Sequence, residues 1–183
     1  MIQKIKFFAA NKRIKLTGAI SIILFIIAKP TSFSIILGIP IIVIGEAIRI
    51  WSSGYIRKDN QLATNGPYLF TRNPLYLGNF FLGLGFSIMS NNLIIIVLFS
   101  FFFFFIYQWV IEDEENYLVK KFGDEFARYK MDVPRFFPGI KRPGRYNNKK
   151  GFDWNLVKKH KEYNTWMGLL GGIGLFAIKM LIN

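Results

Sequence analysis

The sequence predicts an all-α, polytopic membrane bundle of about five transmembrane helices, with the N-terminus inside and the C-terminus outside. Three observations carry this. More than half of the 183 residues are hydrophobic, 20 of them Phe, and they gather in long runs instead of recurring at an amphipathic period. The Lys and Arg residues crowd the segments between and beside those runs. The net charge of +13 therefore points to an anionic membrane surface as partner, not to nucleic acid. Finally, placing the N-terminus, residues 52–73 and residues 112–162 on the cytosolic side leaves only Lys29 and Lys179 outside, with 22 of 24 basic residues inside. The length suits a single domain over residues 1–183.

Residues 1–15 carry Lys4, Lys6, Lys12, Arg13 and Lys15 and suit a short amphipathic surface helix. No small-residue cleavage site follows the first span, residues 14–28, so it reads as a retained anchor and not a signal peptide. That span is short and is closed by Lys29-Pro30. The second, residues 32–51, contains Gly38, Pro40 and Gly45, which permit a bend and close helix contact. Glu46 and Arg49, three apart, share a face and form a structural pair.

A polar stretch, residues 52–73, contains the Asn65-Gly66-Pro67 turn. The third span, residues 74–89, and the fourth, residues 93–111, are joined by Ser90-Asn91-Asn92 alone, so they form an antiparallel hairpin. Gly83 and Gly85 in the third read as packing residues. The five consecutive Phe at 101–105 read as a lipid or ligand wall, with lipid favoured. No Gly or Pro separates the fourth span from Glu112-Asp113-Glu114-Glu115, so the helix continues into water until Gly123, and a short helix over 124–130 follows. Residues 133–138 are too apolar for a free loop and pack back on the membrane face. Residues 141–150 are a basic linker. A fifth span covers residues 163–182, where Gly168, Gly171, Gly172 and Gly174 make a packing face.

Several chemistries are disfavoured. Without cysteine there are no disulfides, thiolate metal sites or cysteine nucleophiles. His160, the sole histidine, lies between Lys159 and Lys161 and reads as solvated. No metal site is expected without Cys or clustered His, and no phosphate- or dinucleotide-binding glycine motif appears.

The chemistry gathers around residues 66–78, GPYLFTRNPLYLG. Asn73 is a good helix N-cap, and Pro74 suits the first helical position, where its missing N–H would go unbonded anyway. Unpaired backbone N–H groups, the positive helix end and Arg72 would converge there as an anion site. The hairpin brings the acidic cluster to the same end. None of its four residues has Lys or Arg at i±3 or i±4, so its partners are water, Arg49, Arg72 or Arg135, or a ligand. Glu112 and Asp113 read as surface residues, and Glu114 or Glu115 as ligand-holding. An anion clamp facing carboxylates suits a zwitterionic ligand.

These residues resemble a known family. GPYLFTRNPLYLG is similar to the Gly-Pro-Tyr…Arg-His-Pro-x-Tyr-x-Gly signature of the isoprenylcysteine carboxyl methyltransferase and phospholipid methyltransferase superfamily. A second signature is matched by Glu114-Glu115-Asn116-Tyr117-Leu118, then Phe122-Gly123, Phe126 and Tyr129, then Val133-Pro134-Arg135-Phe136-Phe137-Pro138. The likeness covers about residues 37–138 and leaves the first and last spans outside. It implies an integral membrane methyltransferase using S-adenosyl-L-methionine at the cytosolic membrane face, with a lateral opening for a lipid-like or prenylated acceptor. By position, Arg72, Asn73 and Tyr76 would hold the methionine end of the cofactor and Glu115, with Glu114, the ribose. Gly66, Pro67 and Tyr68 would shape the wall, and Arg135 would lie near the acceptor entrance. The location implied is a bacterial inner membrane, or an endomembrane with the site facing the cytosol.

Asn73 departs from the family's usual histidine. It can donate a hydrogen bond but cannot take a proton near neutral pH. Phe126 replaces the usual Tyr. The acceptor stays open between an isoprenylcysteine-type carboxylate and a phospholipid amine. The alternatives are a membrane reductase of the related sterol-reductase-like fold using a nicotinamide cofactor, and a catalytically silent lipid-binding scaffold.

Overall fold

A computed structural model describes residues 25–57, 61–139 and 151–182. Among these the chain is helical, with no strand: α1 (Ser32–Ser53), a 3-10 turn (Gly66–Leu69), α2 (Pro74–Met89), α3 (Leu93–Phe122), α4 (Asp124–Asp132), α5 (Trp154–Lys159) and α6 (Glu162–Ile182). Three of them, α1, α3 and α6, are long and apolar enough to cross a membrane, and α2 is a shorter apolar helix of 16 residues. The basic N-terminus, most of the expected first span and the 141–150 linker lie outside the described residues.

The bundle is built on contact between α1 and α2. Thr31 and Ser34 close a capping box at the start of α1, and the Ser34 hydroxyl also donates to the Met89 carbonyl at 3.1 Å. The two helices then run antiparallel, with Gly38 opposite Gly85 and Gly45 opposite Gly78. A Cβ on Gly45 would sit 2.8 Å from the Gly78 carbonyl oxygen, and one on Gly85 would sit 2.9 Å from that of Gly38. In each helix the two glycines are seven apart, two turns on one face. Close backbone approach matters in a bilayer because lipid tails are as apolar as the side chains, so packing carries association.

The α2–α3 hairpin turns on Asn91, a non-glycine residue at φ 51°, which Asn tolerates better than most. The Asn92 side chain caps α3 by accepting from the Ile94 N–H at 3.0 Å. α3 continues without a break past the acidic cluster and stops at Gly123, φ 51°, as its sequence predicts. The Phe run divides by helical period instead of forming one lipid wall. Phe101, Phe102 and Phe105 are exposed, whereas Phe103 is buried and stacks on Tyr107 with ring centroids 4.0 Å apart.

After Gly123 the chain folds back over the polar end of the hairpin. Phe126, Tyr129 and Val133 form a small core with Leu62. The 133–138 segment packs back as expected, with Phe136 against Phe80, Phe103 and Phe104.

Two expectations about the C-terminal region are corrected. His160 is half-buried, with Nε2 3.1 Å from the Ile56 carbonyl oxygen, so it ties α5 to the end of α1 instead of facing solvent. The α6 glycines do not form a packing face among the described residues. Gly172 alone meets a side chain, that of Phe86, and Gly168, Gly171 and Gly174 have no neighbour within 4 Å of a built Cβ.

Candidate functional site

Two polar clusters flank the beginning of α2. The first joins the 3-10 turn, α2, the end of α3 and the strap after α4. Arg72 donates through Nε (3.1 Å) and Nη2 (2.9 Å) to Oε1 of Glu115. Its Nη1 donates to the Lys130 carbonyl at 2.6 Å. Both side chains are almost fully buried, 7% and 6% exposed. Two further cations face Glu115: Lys130 Nζ at 3.6 Å from Oε2 and Arg135 Nε at 3.7 Å from Oε1. Arg135 Nε is buried and has no hydrogen-bond partner.

Arg72 is thus committed to protein partners. Its backbone N–H is too, donating to the Pro134 carbonyl at 2.9 Å. Glu114, one residue before Glu115, points elsewhere. It is exposed and accepts from the Tyr76 hydroxyl at 2.7 Å. The helical step of about 100° between neighbours separates one carboxylate that frames the cluster from one that faces outward. Tyr76 also meets the edge of Tyr107, with ring centroids 5.2 Å apart.

Asn73 occupies the N-cap position of α2, but its side chain makes no cap hydrogen bond. Its Nδ2 donates instead to the Arg135 carbonyl at 2.9 Å, and the Thr71 hydroxyl donates to that same oxygen at 3.3 Å. The expectation of an Asn cap is therefore corrected. The returning 133–138 strap offers an acceptor that competes for the amide, and it covers the helix start, leaving Asn73 and Pro74 buried. The open ring of backbone N–H groups expected there is closed over.

The Gly-Pro-Tyr turn lies on the inner side. Gly66 has φ 59°, and a Cβ there would come 2.5 Å from the Tyr55 ring, so glycine is needed twice over. Tyr68 is buried, and its carbonyl accepts from the Tyr129 hydroxyl at 2.6 Å. Burial pushes the Tyr68 phenol well above its ordinary pKa of 10.0, and the charges of Tyr129, Glu114 and Glu162 add to that. The phenol is therefore neutral at physiological pH.

The second cluster holds α6 to α1 and α2. Arg49 donates through Nη2 to Glu162 at 2.6 Å and to the Thr165 hydroxyl at 3.2 Å, and through Nη1 to the Asn79 side chain. Its Nε lies 3.5 Å from Oε2 of Glu46. Oε1 of Glu46 accepts from the Trp166 indole at 2.6 Å. The expected Glu46–Arg49 pair is present, but as part of a larger network.

The structure thus brings Arg72, Asn73, Tyr76, Glu114, Glu115 and Arg135 to one end of the hairpin. Sequence reasoning missed Lys130, which enters because Phe126 and Tyr129 anchor α4 beneath the cluster. It also missed Asn79, Glu162 and Trp166. Their one signal was negative: three polar residues inside or beginning otherwise apolar spans, with no partner on their own helix.

The chain is similar to several known proteins. A cobalt-zinc-cadmium resistance protein, CzcN, of Cupriavidus metallidurans is 37% identical over 106 residues, 57% of this chain and 47% of that protein. A protein-S-isoprenylcysteine O-methyltransferase of Schizosaccharomyces pombe is 37% identical over 83 residues, 45% of this chain and 35% of that one. The Homo sapiens protein of the same name is 32% identical over 82 residues, 45% of this chain and 29% of that one. The chain spans less than half the length of each of these relatives. The sequence pattern of the phospholipid methyltransferase family matches residues 16–125, which contain both the Arg72–Tyr76 motif and the acidic end of α3. With more than half of its length matched and its apolar helices suited to a bilayer, the chain is an integral membrane protein that belongs to the phospholipid methyltransferase family.

Proposed function

We propose that the protein transfers a methyl group from S-adenosyl-L-methionine to a lipid-like acceptor at the cytosolic face of a membrane. The observation that carries the reading is the convergence of two motifs separated by an entire hairpin. Arg72 meets Glu115, and Tyr76 meets Glu114, with hydrogen bonds of 2.7–3.1 Å. The donor set fits the cofactor. Glu114 is an exposed carboxylate suited to ribose hydroxyls, Lys130 is a half-exposed cation suited to a carboxylate, and the Tyr76–Tyr107 aromatic pair suits a sulfonium. When bound, that cofactor supplies an electrophilic methyl group.

On this reading the buried Arg72–Glu115 pair is the frame that holds α2, α3 and the strap in register, and Tyr76, Glu114 and Asn73 line the cofactor side. Gly66, Pro67 and Tyr68 form the inner wall. Arg135, held by Gln108 through its carbonyl at 3.3 Å and by Glu115, stands at the acceptor side with Phe136 and Phe137. Positioning and water exclusion supply most of the acceleration, on the order of 7–11 kcal/mol in favourable cases. Asn73 orients but takes no proton, which favours an acceptor nucleophile that is already deprotonated, such as a carboxylate. Orientation with N-terminus inside and C-terminus outside follows from the charge distribution.

The test is direct. Membranes containing the protein are incubated with methyl-labelled S-adenosyl-L-methionine, and lipid, protein and small-molecule fractions are counted. The expected result is label in a lipid or prenylated fraction, abolished by Arg72→Ala or Glu115→Ala. No binding of S-adenosylmethionine or S-adenosylhomocysteine by the purified protein would refute the proposal.

A further inference from the structure

The family pattern ends at residue 125, yet the chain continues into a long apolar helix fastened to the core in an unusual way. No apolar residue of α6 is fully buried among the described residues, and its ring contacts are those of Phe176 with Phe25 and Phe86. Apolar contact would hold it weakly in any case, since lipid competes on equal terms. Near its first turns it is held instead by Glu162, Thr165 and Trp166, through Arg49 and Glu46 of α1. Charged groups at the edge of a bilayer are costly unless paired. Here two carboxylates, each at least nine-tenths buried, share one guanidinium.

That guanidinium does more than anchor α6. Arg49 lies over Gly78 so closely that a Cβ there would sit 2.6 Å from its Cγ, and its Nη1 reaches Asn79. Asn79 is three residues after Tyr76, so the two share one side of α2. Glu162, Arg49 and Asn79 thus form one chain of contacts that ends on the turn of α2 next to Tyr76, which bonds Glu114.

We infer that Glu162 is a positioning residue of the methyl-transfer site, holding Arg49 across Gly78 onto Asn79 and so setting the placement of Tyr76. This makes α6 part of the enzyme's working core and not only an added anchor. The inference rests on the proposed function and deepens it.

The experiment measures S-adenosylhomocysteine binding and thermal unfolding side by side for the full chain in detergent. Glu162→Gln removes the charge bonded directly to Arg49, whereas Trp166→Phe removes an α6 contact made to Glu46 and makes no direct change at Arg49 or Asn79. The expected result is about tenfold weaker binding for Glu162→Gln, partial recovery in Glu162→Asp, and unchanged affinity in Trp166→Phe despite a lowered unfolding temperature. Equal affinity in Glu162→Gln and the unaltered protein would overturn the inference while leaving the methyltransferase reading intact, as would equal weakening in Trp166→Phe. If Glu162→Gln does not fold, Asn79→Leu carries the same prediction from the other end of the contact. Absence of binding by the unaltered protein would overturn both readings.

Discussion

Glu114 and Glu115 are adjacent, identical in chemistry and opposite in environment, which makes them a sharp test of where the energy of the site resides. Replacing Glu115 by Leu leaves Arg72, whose side chain is only 7% exposed, with a single bond to the Lys130 carbonyl. Breaking a buried pair from one side costs about 3–5 kcal/mol, because the remaining charge is stranded. The lower end, about 3 kcal/mol, applies here because Lys130 and Arg135 keep the cluster close to water. Glu114→Leu removes one hydrogen bond on an exposed helix face, at a cost of about 0.5–1.5 kcal/mol. Unfolding in mixed micelles, followed by tryptophan fluorescence, reads both. The double variant Arg72→Met with Glu115→Leu removes both charges and should recover at least half of the single-variant loss. Added salt should change the Glu115 effect little, since a buried pair is poorly screened. If Glu115→Leu and Glu114→Leu destabilise equally, or the double variant is worse than the sum of its parts, the assignment of Arg72–Glu115 as the buried frame is wrong.

Three further outcomes follow from the geometry. Gly45→Leu should lower stability by several kcal/mol, because a side chain there meets the Gly78 carbonyl and the Leu82 N–H at 2.8 Å and backbone cannot yield as a side chain does; the melting temperature in detergent checks it. Asn73→Asp should be worse than Asn73→Ala, by about 1 kcal/mol or more in unfolding measurements, since a carboxylate cannot donate to the Arg135 carbonyl it would face; a true cap would give the reverse order. The Tyr68 phenol should resist ionisation in a spectrophotometric titration. Its folded pKa is raised above 10.0, so its contribution to stability is full below pH 10 and is lost as pH climbs toward the folded value. Tyr68→Phe should remove that part of the alkaline destabilisation.

Much of the architecture was legible in the chain because the bilayer imposes strong local rules. Apolar runs, a three-residue linker and the basic flanks predict the α2–α3 hairpin, and the absence of Gly or Pro before residue 123 predicts the unbroken α3. The same logic found the two ends of the candidate site, since the acidic residues lacked helical partners and Arg72 stood at the corresponding end of the hairpin. It misjudged Asn73, because capping is a local rule and the competing acceptor, the Arg135 carbonyl, arrives from 62 residues away. It misjudged the Phe run because composition does not reveal which side of a helix a neighbour covers. It gave α6 a glycine packing face because small residues in a span usually have one, whereas among the described residues α6 is held by polar contacts at its start and by Phe176 and Gly172 further along.

By itself the sequence determined the membrane class, the order and approximate bounds of α1, α2, α3, α4 and α6, and which charged residues needed partners, but not the short α5. Those are consequences of local chemistry: apolar length, turn residues and the cost of burying charge. Only the tertiary structure decided that Arg72 and Glu115 bind one another, that Glu114 and not Glu115 accepts from Tyr76, and that Arg49 is shared between Glu46 and Glu162. The reason is that a charge states its need for a partner in one dimension, but several partners can satisfy it. Which one does is settled by how closely Gly38, Gly45, Gly78 and Gly85 let the backbones approach, and by where the strap after α4 returns.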